Sequence, residues 1–352
     1  MYPQIEIDLK KIGENAKVML HQCKAHGVVP CAVTKVVCAD KKVATELVEN
    51  GFKQLADSRI ENIIKLREYF GQKIETLLLR LPMLSDCEKV VQYCDISLNS
   101  ELATLKELDK HAKRQKKTHK VIIMVDLGDL REGIWPNEVL TLKDELKKLN
   151  NIEVLGLGTN LTCYGGVIPT NETLSKLIEL KEKWEVDKDK LHLISGGNSS
   201  SINIMTSKDM PQEVNHLRLG ESLFLGRETV ARKHIVDTNL DAFKVKAEII
   251  EVKKKPSIPI GTIGQDAFGE TPTFEDKGEH LRAIAAIGRQ DIALSMEPLQ
   301  KGVEIIGGSS DHLLLDVDEK TNLKVGDIVE FIPGYGALLA AMTSPYVRKV
   351  YK

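Results

Sequence analysis

The sequence has no Cys-x-x-Cys pair: its six cysteines, Cys23, Cys31, Cys38, Cys87, Cys94 and Cys163, are scattered through periodic segments. That spacing indicates neither a zinc site nor a disulfide framework, so a reduced, cytoplasmic protein without a metal is expected. Excess charge of either sign is missing too. With 49 Lys and Arg against 51 Asp and Glu, the net charge of −2 provides neither a basic footprint for nucleic acid nor an acidic tail. No apolar run reaches the roughly 18 residues that span a bilayer, so no membrane association is expected. The opening MYPQIEIDLKK lacks the features of a signal peptide and reads directly as a strand. Internal repeats and low-complexity stretches are absent as well.

What is present is alternation, over a length of 352 residues that exceeds one typical domain. Short apolar runs stand at 28–36, 53–57, 74–81, 95–99, 120–128, 152–161, 191–197 and 216–220. Most are rich in Leu and β-branched residues without clean polar alternation, as strands buried on both faces should be. Between them lie amphipathic stretches such as KKVATELVENG and NETLSKLIELKEKW. Ser58 with Glu61, and Ser85 with Glu88, have the capping-box spacing, and Gly51 and Gly71 stand where helices should stop. Eight such strands predict an α/β fold, a (β/α)8 TIM-type barrel. A doubly wound open sheet is the rival, because counting strands does not prove closure. Its Gly-x-Gly-x-x-Gly turn is missing after the first strand. After residue 230 the texture changes to short strands parted by Pro, Gly and Asp turns. The expected division is a barrel over 10–230 and a C-terminal β domain of 231–352. The isolated IEIDL strand, within 1–9, has no place in the eight-strand count and is assigned to that β domain.

Lys35 stands at the end of the first barrel strand, on the face where barrels build their active sites. Its apolar neighbours make the charged form costly, and covalent capture of a carbonyl compound would remove the charge. A lysine that snorkels out of the strand end is the plainer reading. Arg218 lies within the last buried strand, before Gly220, and SGGNSSS (195–201) closes the strand before it. Loops after the final strands often hold phosphate on backbone N–H groups, although a glycine–serine string is more often an ordinary loop.

Lysine at the end of strand one, arginine in VDLGDLREG, Asn198-Ser199 after the seventh strand and RLG in the eighth, followed by a β domain, together resemble the alanine racemase family. The resemblance covers nearly the whole chain and implies a pyridoxal 5'-phosphate enzyme, an isomerase that interconverts L and D amino acids. By that resemblance Lys35 would hold the cofactor and act as one of two proton-transfer bases. Ser199 and the backbone at Gly220 and Glu221 would hold the phosphate, with Asn198 among the cofactor-binding residues. Tyr346 matches a tyrosine set against the phosphate from the second domain; alternatively it is an aromatic core residue of a C-terminal strand. Arg218 would face the pyridine nitrogen, where a permanent cation disfavours a charged ring and suits proton exchange. Arg131 would approach the substrate carboxylate, and Asn160 would take the place of a histidine beside the cofactor ring.

The pattern also departs from that family. The tyrosine that serves as its second base is missing from IGRQDI, where Arg289 stands, and arginine is a poor proton acceptor. Asp291 and the pair Asp311-His312 are the candidate replacements; a solvated turn carboxylate or a satisfied histidine is the alternative for each. Arg289 and Ser310 fall in segments that would meet the substrate carboxylate. A second family tyrosine is replaced by Ala39. These losses leave room for a longer substrate, whose cationic end Asp291, Asp311, Asp129 or Asp266 would accept. GTIGQDAFGE and GGSSDHL are similar to the ornithine racemase branch, which makes ornithine the expected substrate, with lysine and arginine meeting the same argument. A decarboxylase of basic amino acids is the enzymatic alternative, disfavoured because such enzymes place an acid where Arg218 stands. A non-catalytic cofactor carrier is the other, disfavoured by the whole second domain. The family also implies a head-to-tail homodimer.

Overall fold

The computed structural model describes residues 1–186 and 190–352. They form two compact units, Lys10–Asn239 and Met1–Leu9 with Leu240–Lys352. Strand β1 (Gln4–Ile7) and helix α1 (Leu9–Ala25) come first. There follow β2 (Val29–Val33), α2 (Lys41–Glu49), β3 (Gln54–Asp57), α3 (Ile60–Phe70), β4 (Glu75–Leu78), α4 (Cys87–Tyr93), β5 (Ile96–Asn99) and α5 (Leu102–Arg114). The unit continues with β6 (His119–Met124), α6 (Val139–Leu146), β7 (Ile152–Gly158), α7 (Asn171–Glu185), β8 (Leu193–Ser195), α8 (Ile202–Thr206), β9 (His216–Leu219) and α9 (Glu221–Phe224). Among the described residues β2 to β9 close into a parallel barrel, because β9 pairs with β2 as well as with β8. The open sheet is thereby excluded.

The two faces of each strand explain the missing alternation. Cys31, Val33, Ala56, Leu77, Ile96, Leu98, Ile122 and Met124 fill the barrel interior. Val121, Ile123, Leu157 and Ile194 point outward and pack with Leu142, Leu174, Leu177 and Trp184 of the helices. Full burial of each such side chain is worth about 1.5–3 kcal/mol.

The helix stops fall as the glycines suggest: Gly71 ends α3 at φ 58°, and Gly51 follows α2 at φ 119°. The two capping boxes do not form. Helix α3 starts after Arg59, with no side-chain cap, and α4 continues a 3-10 turn (Leu84–Asp86) that contains Ser85. At α3 the work falls to Asp57, at the end of β3. Its Oδ1 accepts from the Arg59 N–H at 3.1 Å and from Asn62 Nδ2 at 3.0 Å.

Two histidines inside the barrel make its stability sensitive to acid. Burial pushes His119 down to about 4, and burial together with the Arg218 charge pushes His216 down to about 3. An unfolded histidine titrates near 6.5, so between that value and the folded one the unfolded chain binds more protons. Stability is therefore complete above pH 6.5 and falls as pH drops. We expect a loss of about 1.4 kcal/mol per pH unit for each histidine between pH 6 and pH 4.5. Urea melts across that range check it, and His119→Asn and His216→Asn should each flatten the slope.

The smaller unit contains β10 (Phe243–Pro256), β11 (Glu279–Ala285), β12 (Met296–Pro298), β13 (Val303–Gly308), β14 (Leu313–Val317), β15 (Ile328–Pro333), α10 (Tyr335–Thr343) and β16 (Arg348–Tyr351). Its strands run in the order β12-β15-β10-β11-β14-β13. Strand β1 joins this sheet, antiparallel to β10 and parallel to β16. Ile5 and Ile7 are fully buried there with Phe243, Val245 and Phe331. Among the described residues no helix is long and apolar enough to cross a membrane.

Candidate active site

Lys35 begins a 3-10 turn immediately beyond β2, at the C-terminal mouth of the barrel, and is half-buried rather than buried. The turn is anchored from below. Thr34, fully buried, donates through Oγ1 to Asp57 Oδ2 at 2.9 Å and to the Ala56 carbonyl at 3.1 Å. Asp57 therefore ties the start of α3 to the residue before Lys35. Burial pushes its carboxyl up, against the hydrogen bonds from Asn62 and Thr34.

Strand β9, the neighbour of β2, carries Arg218, of which 3 % is exposed. Its guanidinium donates to Ser195 Oγ and, at 2.6 Å, to the Thr159 carbonyl, both neutral oxygens. Burial pushes Arg218 down to about 10, so it is still a cation at neutral pH. Gly220 follows; a Cβ there would stand 3.4 Å from Val33, which brings this loop beside the Lys35 strand.

Ser199 starts a 3-10 turn after β8, capped by Asn198 through the Ser200 N–H at 2.8 Å. The Ser199 hydroxyl collects the backbone N–H groups of Gly220 and Ser222, each at 3.3 Å, and lies 3.1 Å from Ser222 Oγ. Two hydroxyls and a cluster of amide N–H groups thus converge at the ends of β8 and β9, an arrangement suited to an anion. Glu221 turns its carboxylate away to Arg232 at 3.0 Å and Arg227 at 3.8 Å. Burial pushes that carboxyl up, while Arg232, Arg227 and the Lys35 charge oppose the rise. Asn198 Nδ2 donates to Asn160 Oδ1 at 3.1 Å and to the Leu161 carbonyl at 2.9 Å. Asn160 Nδ2, Thr159 Oγ1 and Ser200 Oγ are buried with no partner in the protein. Unsatisfied buried groups of this kind are costly unless something else meets them. An amine, an anion-binding cluster, a buried cation and orphaned polar atoms around one barrel mouth fit a phosphorylated aromatic aldehyde.

Arg131, in the loop beyond β6, is exposed and forms a bidentate pair with its neighbour Glu132. Asp129 is engaged by its own chain. Its carboxylate accepts the backbone N–H groups of Tyr164 at 2.9 Å, Val167 at 3.0 Å and Cys163 at 3.2 Å. Burial works against its charge, yet these donors hold it below the usual carboxylate range. Its work is to fold the loop after β7, so the assignment of Asp129 to a cationic substrate end is corrected.

In the β unit, Arg289, Ser310, Asp311 and His312 come together where the 287–291 segment meets the turn between β13 and β14. Arg289 and Gln290 donate from their backbone N–H groups to the Ser309 and Ser310 carbonyls at 2.8 and 3.0 Å. A Cβ at Gly288 would lie 2.3 Å from the Asp311 nitrogen, so only glycine allows this approach. The Arg289 guanidinium stacks 4.5 Å from the Phe268 ring centroid, and its Nε is buried without a partner. His312 Nδ1 meets Asp311 Oδ1 at 2.9 Å, and that hydrogen bond holds the Asp311 carboxyl below the usual range. Asp291 is buried and accepts from the Ser344 hydroxyl at 2.6 Å, while Ser344 Oγ accepts the Tyr346 N–H at 3.0 Å. Tyr346 is no core residue: 70 % exposed, it stands between α10 and β16. Asp266 caps a turn in the loop after β10 through the N–H groups of Phe268 and Glu270.

Residues 7–228 match the model of the alanine racemase N-terminal domain. The chain is 48% identical to an ornithine racemase from Acetoanaerobium sticklandii, over 99% of each sequence. It is 38% identical to a lysine racemase from Thermotoga maritima, covering 100% of this chain and 99% of that one. Among solved structures, an alanine racemase from Bartonella henselae with covalently bound pyridoxal phosphate shares the fold. Its TM-score is 0.75 at 17% identity, with all of both chains covered.

Proposed function

Because this chain belongs to the alanine racemase family, we propose that it binds pyridoxal phosphate and racemises ornithine. The observation that carries the substrate is the full-length likeness to racemases of two basic amino acids. Once bound, the cofactor draws electrons from the amino acid and acidifies its α-proton. The remaining work belongs to the protein. The Lys35 amine holds the cofactor and moves the proton on one face of the α-carbon. Ser199, the backbone of Gly220 and Glu221, and the exposed Tyr346 hold the phosphate, while Asn160, bonded to Asn198, lies against the cofactor ring. Arg218 meets the ring nitrogen as a cation, which favours simple proton exchange over decarboxylation.

The second proton transfer is assigned to His312. Facing a carboxylate, its Nδ1 is the donor, which leaves Nε2 as the acceptor. Asp311 orients the ring. Asp291 is engaged by Ser344 and serves the Tyr346 turn instead. Arg289, Ser310 and Arg131 are assigned to the substrate carboxylate. We assign the protein a homodimeric form, in which the β unit of one subunit completes the barrel site of the other.

Incubation of the cofactor-loaded protein with L-ornithine in D2O tests this reading. Optical rotation should decay to zero with deuterium at the α-carbon and no new product. Release of CO2 with a diamine would make the protein a decarboxylase, and no exchange with any basic amino acid would leave it a cofactor carrier.

A further inference from the structure

The hydrogen-bond partners of the Arg218 cation are neutral oxygens; the Glu132 charge favours it from outside that set, and a hydrogen-bonded run inside the barrel leads from it to a second carboxylate. From Arg218 a run of buried side chains leads across the barrel: Ser195 Oγ, then His216 Nδ1 at 2.7 Å, then His216 Nε2 to Gln54 Oε1 at 2.7 Å. Gln54 Nε2 continues to Glu75 Oε2 at 2.7 Å. Gln54 and Glu75 are register partners at the first positions of β3 and β4, toward the N-terminal end of the barrel. Glu75 is half-exposed there, its other oxygen 3.9 Å from Lys120.

The chemistry fixes the direction of every bond. A carboxylate only accepts, so the Gln54 amide nitrogen faces Glu75 and the Gln54 oxygen faces His216. His216 must therefore donate from Nε2 and accept at Nδ1. Arg218 only donates, so Ser195 accepts from it and sends its own proton to His216. All the dipoles thus align from the cation toward the anion, and aligned hydrogen bonds strengthen one another in a low-dielectric interior. A neutral His216 is what this arrangement needs, and its burial provides it.

We propose that Gln54 and Glu75 are positioning residues for Arg218, acting through Ser195 and His216 along a one-directional hydrogen-bond chain inside the barrel. The chain holds the guanidinium in place and spreads its charge toward Glu75, so the cofactor ring meets a fixed and partly offset cation. This rests on the assignment of Arg218 to the ring nitrogen.

The test uses the full-length protein labelled with 15N-histidine, with and without pyridoxal phosphate, and with His216→Asn to assign the signal. His216 should be neutral with its proton on Nε2 in both states; a proton on Nδ1 overturns the proposal, whatever the protein does with ornithine. Glu75→Gln, at a half-exposed position, should fold with wild-type thermal stability. It should weaken pyridoxal phosphate binding about tenfold and shift the visible absorption maximum of the bound cofactor. Gln54→Leu, which cuts the chain, should do the same or more. Wild-type affinity and spectrum in Glu75→Gln mean that the chain only satisfies buried groups, and the proposal falls.

Discussion

Lys35→Ala is expected to lower racemisation about ten-thousandfold and to leave the purified protein without visible absorbance. On the proposed roles, two functions leave with one side chain: the amine that retains the cofactor and one of the two groups that move the α-proton. Thr34, the Asp57 network and the turn before α2 do not depend on the amine, so the fold should survive unchanged. Absorbance spectra and steady-state rates check both halves of the expectation. A variant that keeps its absorbance and more than a tenth of its rate would remove Lys35 from the site.

The second large effect is expected at His312. His312→Ala should lower racemisation about 100- to 1000-fold while sparing α-deuterium exchange in one enantiomer, the one whose proton faces Lys35. Racemisation needs an acceptor on each face; exchange needs only one. Asp311→Asn keeps the imidazole and loses its orienting charge, so a smaller loss of about tenfold is expected. If the sites are shared between subunits, mixing and re-associating the Lys35→Ala and His312→Ala proteins should restore about a quarter of the sites. Equal loss of exchange in both enantiomers would transfer the role to another residue. Full racemase activity in His312→Ala would do the same.

Much of the barrel could be read from the sequence because buried parallel strands leave a strong mark, and 28–36, 120–128 and 152–161 each contain one. Closure could not be read, since β9 meeting β2 is a pairing across nearly 190 residues that no local pattern records. The capping boxes failed for a local reason: Asp57, one residue before Ser58, already satisfies the start of α3. Lys35, Ser199 and Gly220 were legible as residues at or just beyond strand ends, and Arg218 as a cation within the last buried strand. Gln54, Glu75, Ser195 and His216 were not, because a polar residue at the edge of an apolar run looks like a boundary. Their phase was the available signal: Gln54 and Ala56, Glu75 and Leu77, and His216 and Arg218 are two apart and share the interior face. The pairing of Arg131 with Glu132 could have been suspected from adjacency alone. The role of Asp129 could not, since its partners lie more than thirty residues away.

Strand β1 lies between β10 and β16, with Ile7 opposite Phe243 on one side and Tyr351 on the other. Strand β1 is thus flanked by a strand synthesised about 340 residues after it. At ordinary rates of synthesis, roughly 20–70 s pass between the two. In that interval the barrel strands can find one another, while Ile5 and Ile7 have no finished sheet to enter. The nascent chain therefore carries β1 as an uncovered apolar strand until β16 has been made. Closing the β1–β16 ladder then completes this part of the sheet.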